Sequence, residues 1–287
     1  MLLVFILVAG ITRLLTMIRF ALFLTLLGFI TGICAAPKAE LWQRWQTHDE
    51  TSSLLVDHAP WQDFLDSYLS QGSDGINRVD YAGVSTAAKA ELQAYLNQLQ
   101  QTPVSRFNRD QQRVFWINLY NAGTVMIILN HYPVKSILDI DISPGIFSNG
   151  PWGKKLFTVD DHKVALDDIE HRILRPIWHD PRLHYALNCA SIGCPNLQQK
   201  AFTAKNTDSL LELASRQYIN HPRGVNIEDG ELTVSSIYHW FKDDFGGSDQ
   251  RLLAHFRRYA EPALLTRLSK IDEIEDHHYN WRLNSAK

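Results

Sequence analysis

The chain has 287 residues, 45% hydrophobic and 21% charged, with eight Trp, thirteen Phe and ten Tyr, a composition that excludes a disordered polymer. A formal net charge of −3 with the two signs interspersed leaves no basic stripe for a phosphate backbone, so no nucleic-acid partner is expected. Three cysteines are too few for a scaffold built on disulfides.

Residues 1–36 are almost unbroken apolar sequence, interrupted by Arg13 and Arg19. From Met17 the chain reads as a signal peptide: Arg19 as the basic region, Phe20 to Ile33 as the apolar run, then Cys34, Ala35 and Ala36 before Pro37. Translation starting at Met17 gives a removable signal; starting at Met1, the longer segment is able to stay as an anchor, since about 20 apolar residues cross a bilayer. Either reading sends residues 37–287 out of the cytoplasm as one globular domain, periplasmic or secreted, with possible attachment to the membrane through the N-terminus. Lipidation of Cys34 is disfavoured, because Ile33 stands where a small residue is normal.

Leu41 to Leu69 carries Trp42, Trp45, Trp61 and Phe64 at mixed helical spacing, with a helix expected over Asp63 to Leu69 behind Pro60. Arg78 to Tyr81 is extended, and Ser85 caps a helix over Ala88 to Leu99 with Leu92, Tyr95, Leu96 and Leu99 on one face. Arg109 to His131 is the strongest helix, apolar nearly all round and ended by Tyr132-Pro133, which places it in the middle of the fold. A Gly/Pro/Ser-rich loop follows over Asp139 to Gly153, then a hairpin of Lys155–Val159 and Lys163–Leu166, then a helix capped by Asp167 through Leu174. Leu183 to Leu187 suits a short strand buried on both faces. Ser209 to Ile219 is helical, Val225–Ile227 and Glu231–Val234 form a second hairpin, and Ser235 caps a helix bearing Tyr238, Trp240 and Phe241. More helix runs to Leu268, a last strand covers Ile271 to Ile274, and Tyr279 to Leu283 closes the chain. The expected class is α+β: a helix-rich single domain with a small, mainly antiparallel sheet and a central buried helix.

The densest group of reactive side chains is His184-Tyr-Ala-Leu-Asn-Cys189-Ala-Ser191-Ile-Gly-Cys194-Pro195. Cys189 as a nucleophile needs an imidazole or another positive group to make it a thiolate. His184 lies five residues before it, an odd offset that on a strand points the two side chains apart, so His171 is preferred as the base. Asn118 or Asn121 on the central helix, or Glu170, would orient the imidazole. The competing readings are ordinary: a buried Cys189, a Cys189–Cys194 disulfide that quenches the nucleophile, asparagines satisfied by neighbouring loops, and a solvated Glu170–His171 pair. A metal held by His184, Cys189 and Cys194 with His171 or His179 lacks the paired spacing of a zinc site. Asp139, Asp141, Asp160 and Asp161 match no calcium loop, and Gly150-Pro-Trp-Gly153-Lys154-Lys155 is no phosphate loop, so neither metal nor cofactor is expected.

Phe115-Trp-Ile-Asn-Leu-Tyr-Asn121-Ala, Tyr132-Pro-Val-Lys-Ser-Ile137, Leu166-Asp-Asp-Ile-Glu-His171, Arg182-Leu-His-Tyr-Ala-Leu-Asn-Cys189 and Trp240-Phe-Lys-Asp-Asp-Phe245 together resemble the domain of unknown function 547 family, in order from about Trp61 to Asn284. The resemblance implies a family of bacterial exported proteins, also found at the end of plant proteins, with no accepted substrate. Its signatures fall on Asn118, Asn121, Glu170, His171 and Cys189. Histidine before cysteine is also similar, by analogy alone, to permuted papain-like or transglutaminase-like thiol enzymes. Two functions are therefore expected to compete. One is a thiol-dependent acyl-transfer enzyme, an amide or ester hydrolase in which Cys189 attacks and His171 is the base. The other is a noncatalytic module with structural cysteines that binds a small molecule, peptide or protein through aromatics near Trp152 and the hairpins.

Overall fold

The computed structural model describes residues 37–145 and 149–286, and the expected signal or anchor segment lies outside them. Among the described residues, eight α-helices and three small sheets make an α+β fold. Among the described residues no helix is long and apolar enough to cross a membrane.

The helices are α1 (Ala59–Tyr68), α2 (Thr86–Gln100), α3 (Arg109–His131), α4 (Arg175–Trp178), α5 (Thr207–Ile219), α6 (Ser236–Trp240), α7 (Asp249–Tyr259) and α8 (Pro262–Leu268). α3 is the axis of the fold. The Asn108 side chain caps it by accepting from the Gln111 amide, and every residue from Val114 to Leu129 is buried. Phe115 and Trp116 belong to the main core, where the Trp116 ring meets that of Trp45 edge-on at 4.9 Å. At ~1.5–3 kcal/mol for each large apolar side chain buried, such a helix is held by packing on all sides rather than by propensity. Gly123 is required there, since a Cβ at that position would stand 2.5 Å from the Phe157 ring.

Strands β1 (Leu69–Gln71) and β2 (Asn77–Val79) pair antiparallel, as do β3 (Phe157–Val159) and β4 (His162–Val164). The β3–β4 turn places Asp160 and Asp161 at φ 43° and 63°, the left-handed pair that matches the twist of a two-residue hairpin. In the third sheet β5 (Val225–Glu228) pairs antiparallel with β6 (Glu231–Ser235), and β7 (Asp276–His278) adds to β6 in parallel. A second apolar cluster joins this sheet to α7, whose Leu252, Leu253, Phe256 and Tyr259 face inward.

Three local expectations differ from the structure. Leu183 to Leu187 is not a strand: Pro181–Tyr185 is a 3-10 helix begun by the Asp180 carboxylate, which accepts from the Arg182 amide. A short buried apolar run carries no period that separates the two states. The last strand is β7, a few residues beyond Ile271 to Ile274, and all three of its side chains are exposed. Backbone pairing to the free edge of β6 selects it, and that leaves no hydrophobic trace. The segment after Asp167 winds as a π-helix over Asp168–Leu174, and Asp167 makes no side-chain cap bond.

Residues 279–286 form a strap that ties distant parts together. The Asn284 amide donates to the Ala190 carbonyl, Ile192 donates to Arg282, Gly193 to Asn280, Leu283 to Lys135 and Ala286 to Val79.

Candidate functional site

The Glu170 and His171 side chains leave the π-helix close to each other, and this wider helical turn displaces them from the register an α-helix would impose. Glu170 is nearly enclosed. The Tyr120 hydroxyl donates to its Oε2 at 3.2 Å, His184 Nδ1 stands 3.7 Å from Oε1 and His171 Nδ1 stands 4.0 Å from it. Burial alone would raise the Glu170 pKa; the charges of His171, His184 and Arg175 outweigh it and hold the carboxyl down to about 2.

Asp244, in the turn after α6, closes the network from the other side. It accepts from Arg175 Nε at 2.5 Å and pairs with His184 Nε2 at 2.7 Å. Burial opposes its ionisation, yet His184 and Arg175 keep it well below the usual carboxylate range. For His184 the burial penalty on the cation is more than offset by Asp244 and Glu170, so its pKa rises. For His171 burial prevails and the pKa falls, with Glu170 acting in the opposite sense. Arg175 also meets His171 Nδ1 at 3.0 Å and donates to the Pro37 carbonyl at 2.7 Å, pinning the start of the described chain to this centre.

Tyr279, which feels the Glu170 charge, links this network to Cys189, and Cys189 is bridged to Cys194. The Cys189 sulfur is half-buried and lies 3.0 Å from the Tyr279 hydroxyl and 3.3 Å from that of Ser191. Cys194 is 2% exposed, and its sulfur accepts from the Cys189 amide at 2.9 Å. The partners of His171 are Arg175, Glu170, Asp167 and the Phe241 ring, while those of the Cys189 sulfur are hydroxyls and Cys194.

Asn118 and Asn121 are both buried and both spent on backbone. Asn118 donates to the Phe202 carbonyl and accepts from its amide, and Asn121 donates to Ala186 and accepts from Asn188. The His171 ring, which they were expected to orient, is met at Nδ1 by Arg175. Asn121 still shapes the site, because it fixes the residue that precedes Cys189.

Aromatic rings wall the exposed side. Tyr279 packs on Trp281 at 4.6 Å and on Trp240 at 4.9 Å, Trp240 stacks on Trp281 at 5.7 Å, and Trp152 meets Trp281 edge-on at 5.8 Å. Trp152 folds back over Gly150, whose φ of 72° and lack of a Cβ both serve that turn. The Asp167 amide donates to the Trp152 carbonyl at 3.0 Å, and a Cβ built on the next residue, Gly153, would stand 3.5 Å from Asp167 Oδ2, so this carboxylate borders the turn that carries Trp152. Burial first, then Glu170 and Asp168, raise the Asp167 pKa to about 7 against the pull of Lys155.

Two hollows lie elsewhere, one lined by Leu96, Gly123, Met126 and Phe157, the other by Tyr238, His239, Asp249 and His277. Neither gathers buried polar groups as the Glu170 centre does. Among the described residues no three His, Cys, Asp or Glu side chains converge to hold a metal.

Sequence reasoning singled out Glu170, His171 and Cys189 but missed Arg175, Asp244 and Tyr120 around Glu170 and His171, and Tyr279 and Trp281 on the Cys189 side. The signal was present in part, since Asp244 falls within the Trp240–Phe245 motif.

A helix-rich α+β protein with a buried Glu–His–Arg–Asp centre beside a cystine and an aromatic wall is the class that fold and site define. The model of the family described as protein of unknown function, DUF547, matches residues 104–219, from the turn before α3 to the end of α5. This bears out the resemblance drawn from the motifs around Asn118, His171 and Cys189. No curated protein and no solved structure matches the chain.

Proposed function

We propose that the protein is a noncatalytic binding module in its oxidised form. Its ligand is a cationic amine, carried on a small molecule or a peptide, held against Trp152, Trp240, Trp281 and Tyr279 beside Asp167. The observation that carries this reading is the run of four half-buried rings, Trp152 at one end of it beside the Gly153 turn that the Asp167 carboxylate flanks. Aromatic faces attract cations through their quadrupoles, by ~0.5–2 kcal/mol each, and an adjacent carboxylate adds a charge of the right sign. Asp167 is faced by Glu170, Asp168, Lys155 and His171, so its own ionisation sets the local balance. Above about pH 7 it is charged and amine affinity rises; below, it is neutral and affinity falls.

The test is a tryptophan-fluorescence titration with benzyltrimethylammonium, a lysine-rich peptide and a neutral oligosaccharide, at about pH 6 and about pH 8. Saturable quenching by the cations, stronger at the higher pH and lost in Trp281→Ala, is the expected result. Equal or tighter binding of the neutral sugar, or no quenching at all, overturns the reading.

A second reading, the thiol-dependent amide or ester hydrolase, draws support from one observation. Cys189 is partly accessible, with the Tyr279 hydroxyl, which itself accepts from Ser191, positioned to donate to a thiolate. It requires the reduced protein, and His171 would have to exchange Arg175 for the sulfur. Iodoacetamide labelling of the reduced, native protein that is fast at mildly acidic pH and collapses in His171→Ala would favour it. Slow labelling unaffected by that substitution removes it.

Both readings place the protein outside the cytoplasm. The apolar residues 1–36 support this, and a cystine is at home in an oxidising compartment. Cell fractionation that returns the chain among cytoplasmic proteins would overturn the location without touching either activity.

A further inference from the structure

The two sulfurs of the Cys189–Cys194 bridge stand in different surroundings. Cys189 is half-buried and opens on the aromatic wall, whereas Cys194 is sealed within the turn at 2% exposure. The hydroxyls of Tyr279 and Ser191 lie at the first sulfur, and the Cys189 backbone amide points at the second from 2.9 Å. A thiolate left at either place would therefore meet a hydrogen-bond donor, and only one of the two is open to an incoming thiol.

The turn that carries them is held from outside. Ile192 and Gly193 donate to the strap residues Arg282 and Asn280, Asn284 donates to Ala190, and the Tyr218 hydroxyl donates to the Gly193 carbonyl at 2.6 Å. None of these bonds depends on the cystine, so the turn keeps its anchors when the bridge opens.

We infer that Cys189–Cys194 is a thiol–disulfide exchange site, attacked at Cys189 by an external dithiol, with Cys194 as the leaving group. An external thiolate forms a bond to Cys189 Sγ while the Cys189–Cys194 bond breaks, and the electron pair leaves on Cys194 Sγ facing the Cys189 amide. The second thiol of the same dithiol, as its thiolate, then attacks the mixed disulfide at the sulfur of the external partner. That releases Cys189 as a thiolate between Tyr279 and Ser191. The dithiol ends as a disulfide, the protein gains two electrons as two thiols, and protons come from the dithiol through water. The redox partner this chemistry calls for is a protein dithiol with a narrow exposed active cysteine, able to reach between the aromatic rings. The inference does not rest on amine binding, which is measured on the oxidised protein and stands or falls separately.

The test treats the folded protein with reduced glutathione, quenches with acid, alkylates free thiols and maps the products by peptide mass. The expected species carries glutathione on Cys189 and the alkyl group on Cys194. Glutathione on Cys194, or an even split between the two, overturns the inference. So does a bridge that opens only when denaturant is added. As a second measurement, Cys194→Ser and Cys189→Ser are exposed to oxidised glutathione. Capture by Cys194→Ser at least ~10-fold faster is expected from the difference in access, and equal or reversed rates overturn the assignment. Should either variant fail to fold, the wild-type mapping decides alone.

Discussion

Replacing Asp167 by Asn should stabilise the protein, by an amount that grows with pH. In the folded chain this carboxyl is raised from 3.8 to about 7, by burial first and then by Glu170 and Asp168. A group whose folded pKa is raised binds its proton more tightly in the native state. Its contribution is thus intact below about pH 4 and is lost as pH rises through about 7. Fully realised, the gap would be worth ~4 kcal/mol. The side chain is 41% exposed, and solvent screening of so open a group reduces the expected gain to ~1–2 kcal/mol. The assay is urea unfolding of wild type and Asp167→Asn, cystine intact, at about pH 4 and about pH 8. The curves should nearly coincide at the lower pH, with the variant's midpoint higher at the other. A constant offset at both, or a variant less stable at the higher pH, would refute the reasoning, because an uncharged amide relieves repulsion only where the wild-type carboxyl is ionised.

Glu170→Gln should behave in the opposite sense. Glu170 is lowered from 4.5 to about 2, so its stabilisation, ~3 kcal/mol at neutral pH, disappears as pH falls through that interval. Acid unfolding followed by circular dichroism should start at lower stability in the variant and be shallower; identical acid profiles would contradict it. Asn121→Leu leaves the Ala186 carbonyl and the Asn188 amide buried without partners, at ~2–4 kcal/mol for the pair, read as a drop in the denaturation midpoint. A loss below ~0.5 kcal/mol would mean that water replaces the carboxamide. Gly123→Ala forces a Cβ to 2.5 Å from the Phe157 ring and should cost ~1–3 kcal/mol; an unchanged midpoint would show that the β3 hairpin yields freely.

The parts of the fold legible in the sequence were those written in side-chain pattern. The period and near-total apolarity of Arg109 to His131 announced α3 at its observed bounds, and the Asp160-Asp161 turn announced its hairpin. β7 was misplaced because its partner is a backbone edge and its side chains face solvent. The site was legible only as separate residues. Glu170, His171 and Cys189 stood out by chemistry, but the spatial neighbours that decide their roles, Arg175, Asp244 and Tyr279, arrive from other elements. Asn118 and Asn121 show the same limit from the other side. A polar residue within an apolar helix signals a directed hydrogen bond, and only the fold reveals that the partner is a loop carbonyl rather than an imidazole.

The strap over residues 279–286 makes the cysteine turn depend on a segment far away in sequence. Tyr279 reaches the Cys189 sulfur from 90 residues further along the chain, and Asn284 bonds Ala190 and Tyr81. Undocking of that strap would strip the Tyr279 hydroxyl and the backbone bonds of Ile192, Gly193 and Ala190 from the turn together. The firmness with which the strap is seated therefore governs how open the cystine is to an outside thiol, and a change anywhere along residues 279–284 acts on the sulfurs without touching them.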